Sequence, residues 1–395
     1  MATQEQPFGY RFLSIDEECE KWANGSSNTD SPPCFTILSQ FYHELMIPAF
    51  PLEEERDDLD DWFECFHFQI KQIRWRAQKQ TDYHTQELSD EEKLLLQGNA
   101  MDVVLIIADS STREHEKETP AQEMDSSMSS FVGLHAPNST KTDTISSIII
   151  GAAAVEYYKQ SRVGLLSYIV LHPDFRGRGL AAPLHEEALF RLNRLAFMYG
   201  KSEIKPLMQA IFAETNTAAA GDVTPEQSLL RHKSLYKLGY RLVNFPYAQP
   251  PLCTKDADAS FDDLLLLVYF PFNEDFSERN AAASIEIDTE SFYPWYKNKK
   301  TAPVLMDINI PFCYVEDFYK SVFGYSSYEE GLAHRDDIDG IPDYRTAKYF
   351  KLAEWFSRHP ENSGLVEVSL NDPPWEDCKK MLYAKMFEWQ ESTKD

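Results

Sequence analysis

A short turn rich in glycine and arginine, RGRGLA at residues 176–181, has the residue types that most clearly permit binding chemistry. Arg176 and Arg178 supply two cationic side chains, while Gly177 and Gly179 lack the Cβ atoms that would keep a ligand from the backbone. The strand-like run RVGLLSYIVL precedes the turn, and an amphipathic helical run follows it. Because a helix N-terminus presents unpaired N–H groups and the positive end of the helix dipole, this arrangement favours a phosphate or pyrophosphate ligand.

Two general phosphate-binding patterns fit this turn poorly. The P-loop pattern needs a lysine and then Ser or Thr after its second glycine, whereas Leu180 and Ala181 stand there. The dinucleotide pattern GxGxxG/A is formally met by Gly177, Gly179 and Ala182, but several residues separate these glycines from the strand end. A connection that binds no ligand stays open as a further interpretation.

The turn also matches (Q/R)xxGx(G/A), the signature of the GCN5-related N-acetyltransferase (GNAT) superfamily, and the flanking sequence is similar to that superfamily as well. Upstream, the apolar triplet IVL ends a predicted strand and is followed by Pro173 and Phe175. Downstream stand a strand IFAET, a helix that carries Tyr236, and an LGY step into the next strand. The resemblance spans roughly residues 34–272, and FPLEEERDDLDDW, VEYYKQSRVGLLSYIVLHP and FPYAQPPL look like poorly characterised bacterial members.

The resemblance implies an acetyl-CoA-dependent N-acetyltransferase, in which a neutral amine attacks the thioester directly. Acetyl-CoA is then the co-substrate, and no metal is expected. The residues that match the coenzyme-binding positions of the superfamily are Ile169, Val170, Leu171, Arg176, Gly177, Arg178, Gly179, Leu180, Ala181 and Asn216.

Three residues are candidates for catalysis by the same resemblance. Tyr236 matches the position of the acid that protonates the leaving thiolate; its alternative role is aromatic packing under the LGY turn. Glu156 and Glu214 lie on predicted strands and are alternative bases, or members of structural ion pairs. Which glutamate is the base stays open, and Tyr168 either lines the acceptor site or belongs to the core.

The acceptor pocket of the superfamily would form here between PLEEERDDLDDWFE and the loop PYAQPPL, in which Tyr247 and Gln249 could contact substrate. Carboxylates at its mouth would favour a cationic acceptor, such as a polyamine, an aminoglycoside-like amine or a lysine side chain. The other interpretation of DDLDDW is an acidic helix face that is simply solvated.

The composition limits the partners. The net charge of −26 argues against nucleic acid and anionic membranes, and no apolar run approaches the length of a membrane span. The start, MATQEQPFGY, lacks the features of a signal peptide, and the cysteines show no CxxC spacing. We therefore expect a cytoplasmic protein with reduced thiols and a small-molecule amine as partner, with a homodimer through the C-terminal region as one arrangement.

The order of predicted elements indicates an α/β (α+β) fold: a mixed, mostly antiparallel central sheet flanked by helices, with a helical C-terminal extension. Residues 1–33 form a polar leader, 34–272 the GNAT-like domain with a mobile insertion at about 110–144, and 273–395 an aromatic-rich, mostly helical region. Three other functions stay open: a protein-lysine acetyltransferase, an acetyl-CoA-binding module without catalysis, and a Rossmann-type oxidoreductase.

Overall fold

The computed structural model describes twelve stretches of the chain: residues 9–25, 31–51, 56–79, 99–108, 148–200, 207–216, 224–243, 247, 264–269, 304–307, 309–323 and 365–369. The insertion expected near 110–144 and Gln249 lie outside these residues, as does most of the aromatic-rich region 273–395 that the sequence predicts to be mostly helical.

Within the described stretches, nine strands form one sheet in the order β1-β2-β3-β4-β5-β7-β6-β9-β8. Their bounds are β1 Tyr10–Ser14, β2 Ala100–Ala108, β3 Ile148–Tyr158, β4 Val163–Leu171, β5 Ala210–Asn216, β6 Tyr240–Val243, β7 Leu264–Tyr269, β8 Val304–Asp307 and β9 Leu365–Ser369. Neighbouring strands run antiparallel except β4 and β5, which are parallel.

Helices cover both faces of this sheet. They are α1 Ile15–Asn24, α2 Cys34–Phe41, α3 Leu59–Lys79, α4 Ala181–Tyr199, α5 Pro225–Lys237 and α6 Asn309–Phe323, and α2 continues through a π-helical segment, Tyr42–Met46, into a last turn at Ile47–Ala49. Residues of α1, α2 and α3 share one core cluster, and residues of α4 and α5 share the other. The prediction of a mixed, mostly antiparallel sheet flanked by helices is confirmed.

Hydrophobic periodicity explains how the sheet divides its side chains between the two cores. Strand β2 is buried along its whole length, and its alternation sends Val104 and Ile106 towards α4 but Val103 and Leu105 towards α1–α3. In α4, leucines and alanines three or four residues apart form the buried stripe that the sequence predicts. Burial of each such leucine contributes roughly 2 kcal/mol to folding.

The sheet splits between β4 and β5. Their parallel register runs from Val163↔Ala210 to Leu166↔Ala213 and stops there, because β4 continues beside β3 while β5 continues beside β7. At the same point β4 contains an extra residue, Ser167, since Leu166 and Tyr168 pair with successive residues of β3. Such a bulge bends a strand and increases its twist, which is consistent with the separation of the two strands.

The sheet extends beyond the domain limits that composition predicts. Residues 10–24, within the expected polar leader, form β1 and α1, and β1 pairs with β2 along its length. Strands β8 and β9 and helix α6 come from the region after 273, and β9 pairs with β6. Strands of four or five residues are too short to show a periodic signal, which is why the sequence does not predict these segments as part of the sheet.

Candidate functional site

The Arg176–Ala181 turn lies between β4 and the first residue of α4, as the motif requires. Gly177 and Gly179 adopt φ of +75° and +79°, values that strain any residue with a Cβ atom. A Cβ built on either glycine meets no atom within 4 Å, so both residues border open space. The glycines are therefore required by the backbone conformation.

The start of α4 has the features of an anion site. Its N-cap residue Leu180 makes no side-chain cap hydrogen bond, and the first turn holds no acidic residue. Arg176 and Arg178 are exposed beside it. The Nε of Arg176 donates to the Leu171 carbonyl at 3.0 Å, and the Arg178 guanidinium lies 5.1 Å from the Phe175 ring centroid. These contacts hold two cationic side chains beside the N-terminus of α4, the positive end of the helix dipole.

Glu214 occupies the point where β4 and β5 separate, one residue past the last residue of β5 that pairs with β4. The hydroxyl of Tyr314 donates to its Oε1 at 2.8 Å, and the hydroxyl of Tyr247 donates to the same oxygen. Alternation along β5 sends Glu214 to the face that carries α1–α3.

Glu156 lies on the same face of the sheet, on β3. Three neutral groups donate to it: Tyr158 Oη at 2.9 Å and Asn99 Nδ2 at 2.7 Å to Oε2, and Ser167 Oγ at 2.6 Å to Oε1. Both oxygens therefore have donors, and the carboxylate is held rigidly between β3 and β4.

A third carboxylate, Asp57, precedes α3 and lies close enough to Glu214 for its charge to act on that residue. Its Oδ2 accepts from Trp62 Nε1 at 3.2 Å and from the Tyr168 hydroxyl at 3.3 Å, while its own N–H donates to that hydroxyl at 3.1 Å. Asp58, Asp60 and Asp61 of the same acidic stretch are exposed. The stretch thus combines a solvated surface with one inward carboxylate. We call Asp57, Glu156 and Glu214 the carboxylate cluster.

Burial changes the protonation of this cluster. It is the main reason that the pKa of Glu214 is raised to about 7; the Tyr247 and Tyr314 hydroxyls lower that pKa, and the charges of Glu156 and Asp57 raise it. Burial and the Glu156 charge likewise raise the pKa of Asp57 to about 7. Both residues are half-buried as a whole, but their carboxylates point into a tyrosine-lined interior, where the charged form is poorly solvated.

Several residues that the sequence did not single out contribute to the cluster, among them Asp57, Tyr158, Ser167 and Tyr314. Burial also raises the pKa of the Tyr158, Tyr168 and Tyr314 hydroxyls well above the usual range, so they remain neutral donors. Alternation along β3 places Tyr158 beside Glu156 and is visible in the sequence; the contacts of Asp57 and Tyr314 have no local signal.

Tyr236 lies on α5, which packs with α4 on the face of the sheet opposite the two glutamates. The Arg241 guanidinium lies 3.8 Å from its ring centroid, and Arg241 Nη1 donates to its carbonyl at 2.8 Å.

The other predicted residues occupy the strands around the split. Ile169 and Leu171 pack towards α4, whereas Val170 and Tyr168 pack towards α1–α3. Tyr168 thus belongs to the core, and its hydroxyl also forms hydrogen bonds with Asp57. Asn216 ends β5, and His232 Nε2 of α5 lies 2.9 Å from its carbonyl oxygen.

Two kinds of site are absent from the described residues. They contain no group of three His, Cys, Asp or Glu side chains placed to hold a metal ion. No helix among them combines the length and the apolar character of a membrane span.

Comparisons with known proteins add little to this geometry. No family model matches the chain, and no curated protein matches it. Among solved structures, a protein from Bacteroides thetaiotaomicron, provisionally named an acetyltransferase from the GNAT family, is similar over 64% of this chain and 92% of its own, with 14% identity and a TM-score of 0.26. The fold of this chain is therefore described by its own strand order and by the parallel pair β4–β5 that splits.

Proposed function

We propose that this chain is a GNAT-type N-acetyltransferase that transfers the acetyl group of acetyl-CoA to the primary amine of a small, cationic acceptor. One observation carries the proposal: Glu214 lies where the parallel pair β4–β5 splits, and β4 itself leads into the Arg176–Ala181 turn. A candidate base on β5 and an anion-binding turn at the end of β4 therefore belong to neighbouring strands.

The turn fits the pyrophosphate of the coenzyme. Its open glycines, its two exposed arginines and the uncapped start of α4 all favour an anion. Residues 169–171 pair with β3 along one edge, and in the described registers their other edge has no strand partner. The backbone there could bond to the extended amide arm of acetyl-CoA, as a missing strand would.

The residues at the split fit direct transfer. The acceptor ammonium loses a proton to Glu214, directly or through water, and its nitrogen then attacks the thioester carbonyl. The C–N bond forms and the C–S bond breaks as Tyr236 gives its proton to the departing thiolate. The proton that the new amide nitrogen loses returns to Tyr236 through water, and Glu214 releases its proton to solvent. A carboxylate whose pKa is about 7 suits this role, because it accepts a proton efficiently near neutral pH.

The carboxylate cluster supports a cationic acceptor. Asp57, Glu156 and Glu214 accept hydrogen bonds from hydroxyl, amide and indole groups, and the charges of Asp57 and Glu156 act on Glu214. A positively charged substrate would be attracted to these three carboxylates, which favours its binding over that of a neutral amine.

The first test is a thermal-shift titration with acetyl-CoA, CoA and NAD in parallel. A ligand at about one hundred times its dissociation constant stabilises a protein by about 2.7 kcal/mol. We expect stabilisation by acetyl-CoA and CoA but not by NAD, and stabilisation by NAD alone would point to an oxidoreductase.

The second test separates an enzyme from a binding module. We expect amine-dependent release of CoA by the wild type, and its loss in Tyr236→Phe with acetyl-CoA binding retained. Binding without any turnover over a panel of small amines would instead favour a non-catalytic module. Turnover with lysine peptides alone would favour a protein-lysine acetyltransferase.

A further inference from the structure

Helix α6 (Asn309–Phe323) comes from the part of the chain outside the GNAT-like region, yet it covers the face that carries the carboxylate cluster. Its Tyr314 reaches Glu214, a residue 100 positions earlier, with an O–O distance of 2.8 Å. Asp317, one turn later, accepts from the Ser161 N–H at 2.7 Å. Helix α6 is thus hydrogen-bonded to the β3–β4 turn and to β5 just past the last residue that pairs with β4.

The Tyr314 ring is fixed on three sides. Ring centroids of Tyr158, Phe212 and Phe318 lie 5.5, 5.1 and 5.8 Å from its own, and the residue is fully buried. A buried ring with this packing has one accessible orientation, so its hydroxyl points at Glu214 without further loss of conformational freedom.

We propose that Tyr314 is a positioning residue for Glu214, and that α6 is a working part of the acceptor site. The inference rests on the proposed function, in which Glu214 is the base. Tyr314 and Tyr247 donate to the same oxygen and orient the carboxylate. Because hydroxyl donors stabilise the charged form, they also keep Glu214 able to accept a proton near neutral pH.

Several groups face Glu214 from the elements packed around it, and each contributes to its titration. The neutral donors are Tyr247 and, on α6, Tyr314; the charged groups are Glu156 on β3 and Asp57 before α3. Burial and the two carboxylates favour the protonated form, and the two hydroxyls oppose them. Loss of either hydroxyl should therefore raise the pKa of Glu214.

The test follows the Glu214 carboxyl itself, in the full chain, by carbon NMR with labelled glutamate; its signal is the one lost in Glu214→Gln. In Tyr314→Phe we expect the Glu214 midpoint to move upward by about one pH unit. If the wild type transfers acetyl groups, the acidic limb of kcat/KM should move by the same amount, so that activity at pH 6 falls about tenfold while activity at pH 9 is largely kept.

Phe318→Leu is the matched control, because it alters the same aromatic packing but removes no hydroxyl. A Glu214 midpoint that stays unchanged in Tyr314→Phe would overturn the proposal, as would an equal shift in Phe318→Leu. If Tyr314→Phe does not fold, Tyr247→Phe tests the same two-hydroxyl arrangement, and an unchanged midpoint there overturns it. A wild type without transferase activity would refute the proposed function alone, since the NMR titration does not need turnover.

Discussion

Ser167 Oγ lies 2.6 Å from Glu156 Oε1, and it donates from the residue of β4 that is skipped in the pairing with β3. The bulge therefore directs the Ser167 hydroxyl towards the Glu156 carboxylate, at the point where β4 separates from β5. Because Tyr158 and Asn99 also donate to it, the Glu156 carboxylate accepts three hydrogen bonds in all. Glu214, with its pKa raised to about 7, is the better candidate for proton transfer.

This difference predicts opposite results for the two glutamates. Under the proposed function, Glu214→Gln should lower kcat at least about a hundredfold with acetyl-CoA binding unchanged, because the proposed base is lost. Glu156→Gln should lower stability by about 1–3 kcal/mol, because an amide NH₂ would face one of the three donors, and should raise the acceptor KM more than it lowers kcat. Steady-state kinetics and urea unfolding of both variants check this. The reverse pattern would make Glu156 the base.

The raised pKa of Asp57 predicts a stability cost at alkaline pH. The folded-state value of about 7 exceeds the ordinary 3.8, so the stabilising contribution of this group is complete below about pH 4 and is lost as the pH rises through 7. Asp57→Asn keeps an acceptor for Trp62 and Tyr168 but carries no charge. We expect it to raise the free energy of unfolding at pH 8 by about 1–3 kcal/mol, and by less at pH 5. Asp58→Asn, at an exposed position, is the control, and an equal gain there would contradict this explanation.

The glycine conformations predict a graded effect on coenzyme binding. At Gly177, φ is +75° and the Cβ position is open, so any cost of substitution comes from the backbone alone. Placing a β-branched residue in this backbone conformation should cost about 1–2 kcal/mol of conformational free energy, and placing Asn there should cost less. Gly177→Val should weaken acetyl-CoA binding by up to about tenfold, and Gly177→Asn clearly less. Calorimetric titration measures both; equal affinities would show that the turn does not bind the coenzyme.

A buried ion pair predicts how the N-terminal segment is held on the domain. Arg194 of α4 donates to Asp16 of α1 at 2.8 Å, and only 2% of the Asp16 side chain is exposed. Arg194→Met should cost about 3 kcal/mol at pH 8, because a buried carboxylate loses its cation. The cost should be smaller near pH 5: burial raises the pKa of Asp16 to about 7, so the orphaned carboxyl can be protonated there.

Denaturant unfolding at the two pH values gives both numbers. Lys21→Met is the comparison, since it removes an exposed partner of Glu18 and should change stability little. A similar loss in both variants would show that the Arg194 pair is no more than a surface contact.

Much of the fold was predictable because its information is local. The stretches that became β2 to β5 and helices α4 and α5 each carry their own periodicity, and the β3–β4 hairpin follows from a short polar gap. Strands β1, β8 and β9 were missed because four or five residues with mixed polarity show no period, and they form only when a neighbouring edge supplies their hydrogen bonds.

The candidate site divides in the same way. The turn is encoded locally, because the arginines, the glycines and the helix start are consecutive residues whose backbone needs can be read in order. The positions of Glu156 and Glu214 on strands are encoded locally as well. The proximity of these two residues to Asp57, and the hydrogen bond of Tyr314 to Glu214, arise only in the folded chain. Such a meeting depends on register, on a bulge and on the docking of a distant helix, and no spacing along the chain encodes these.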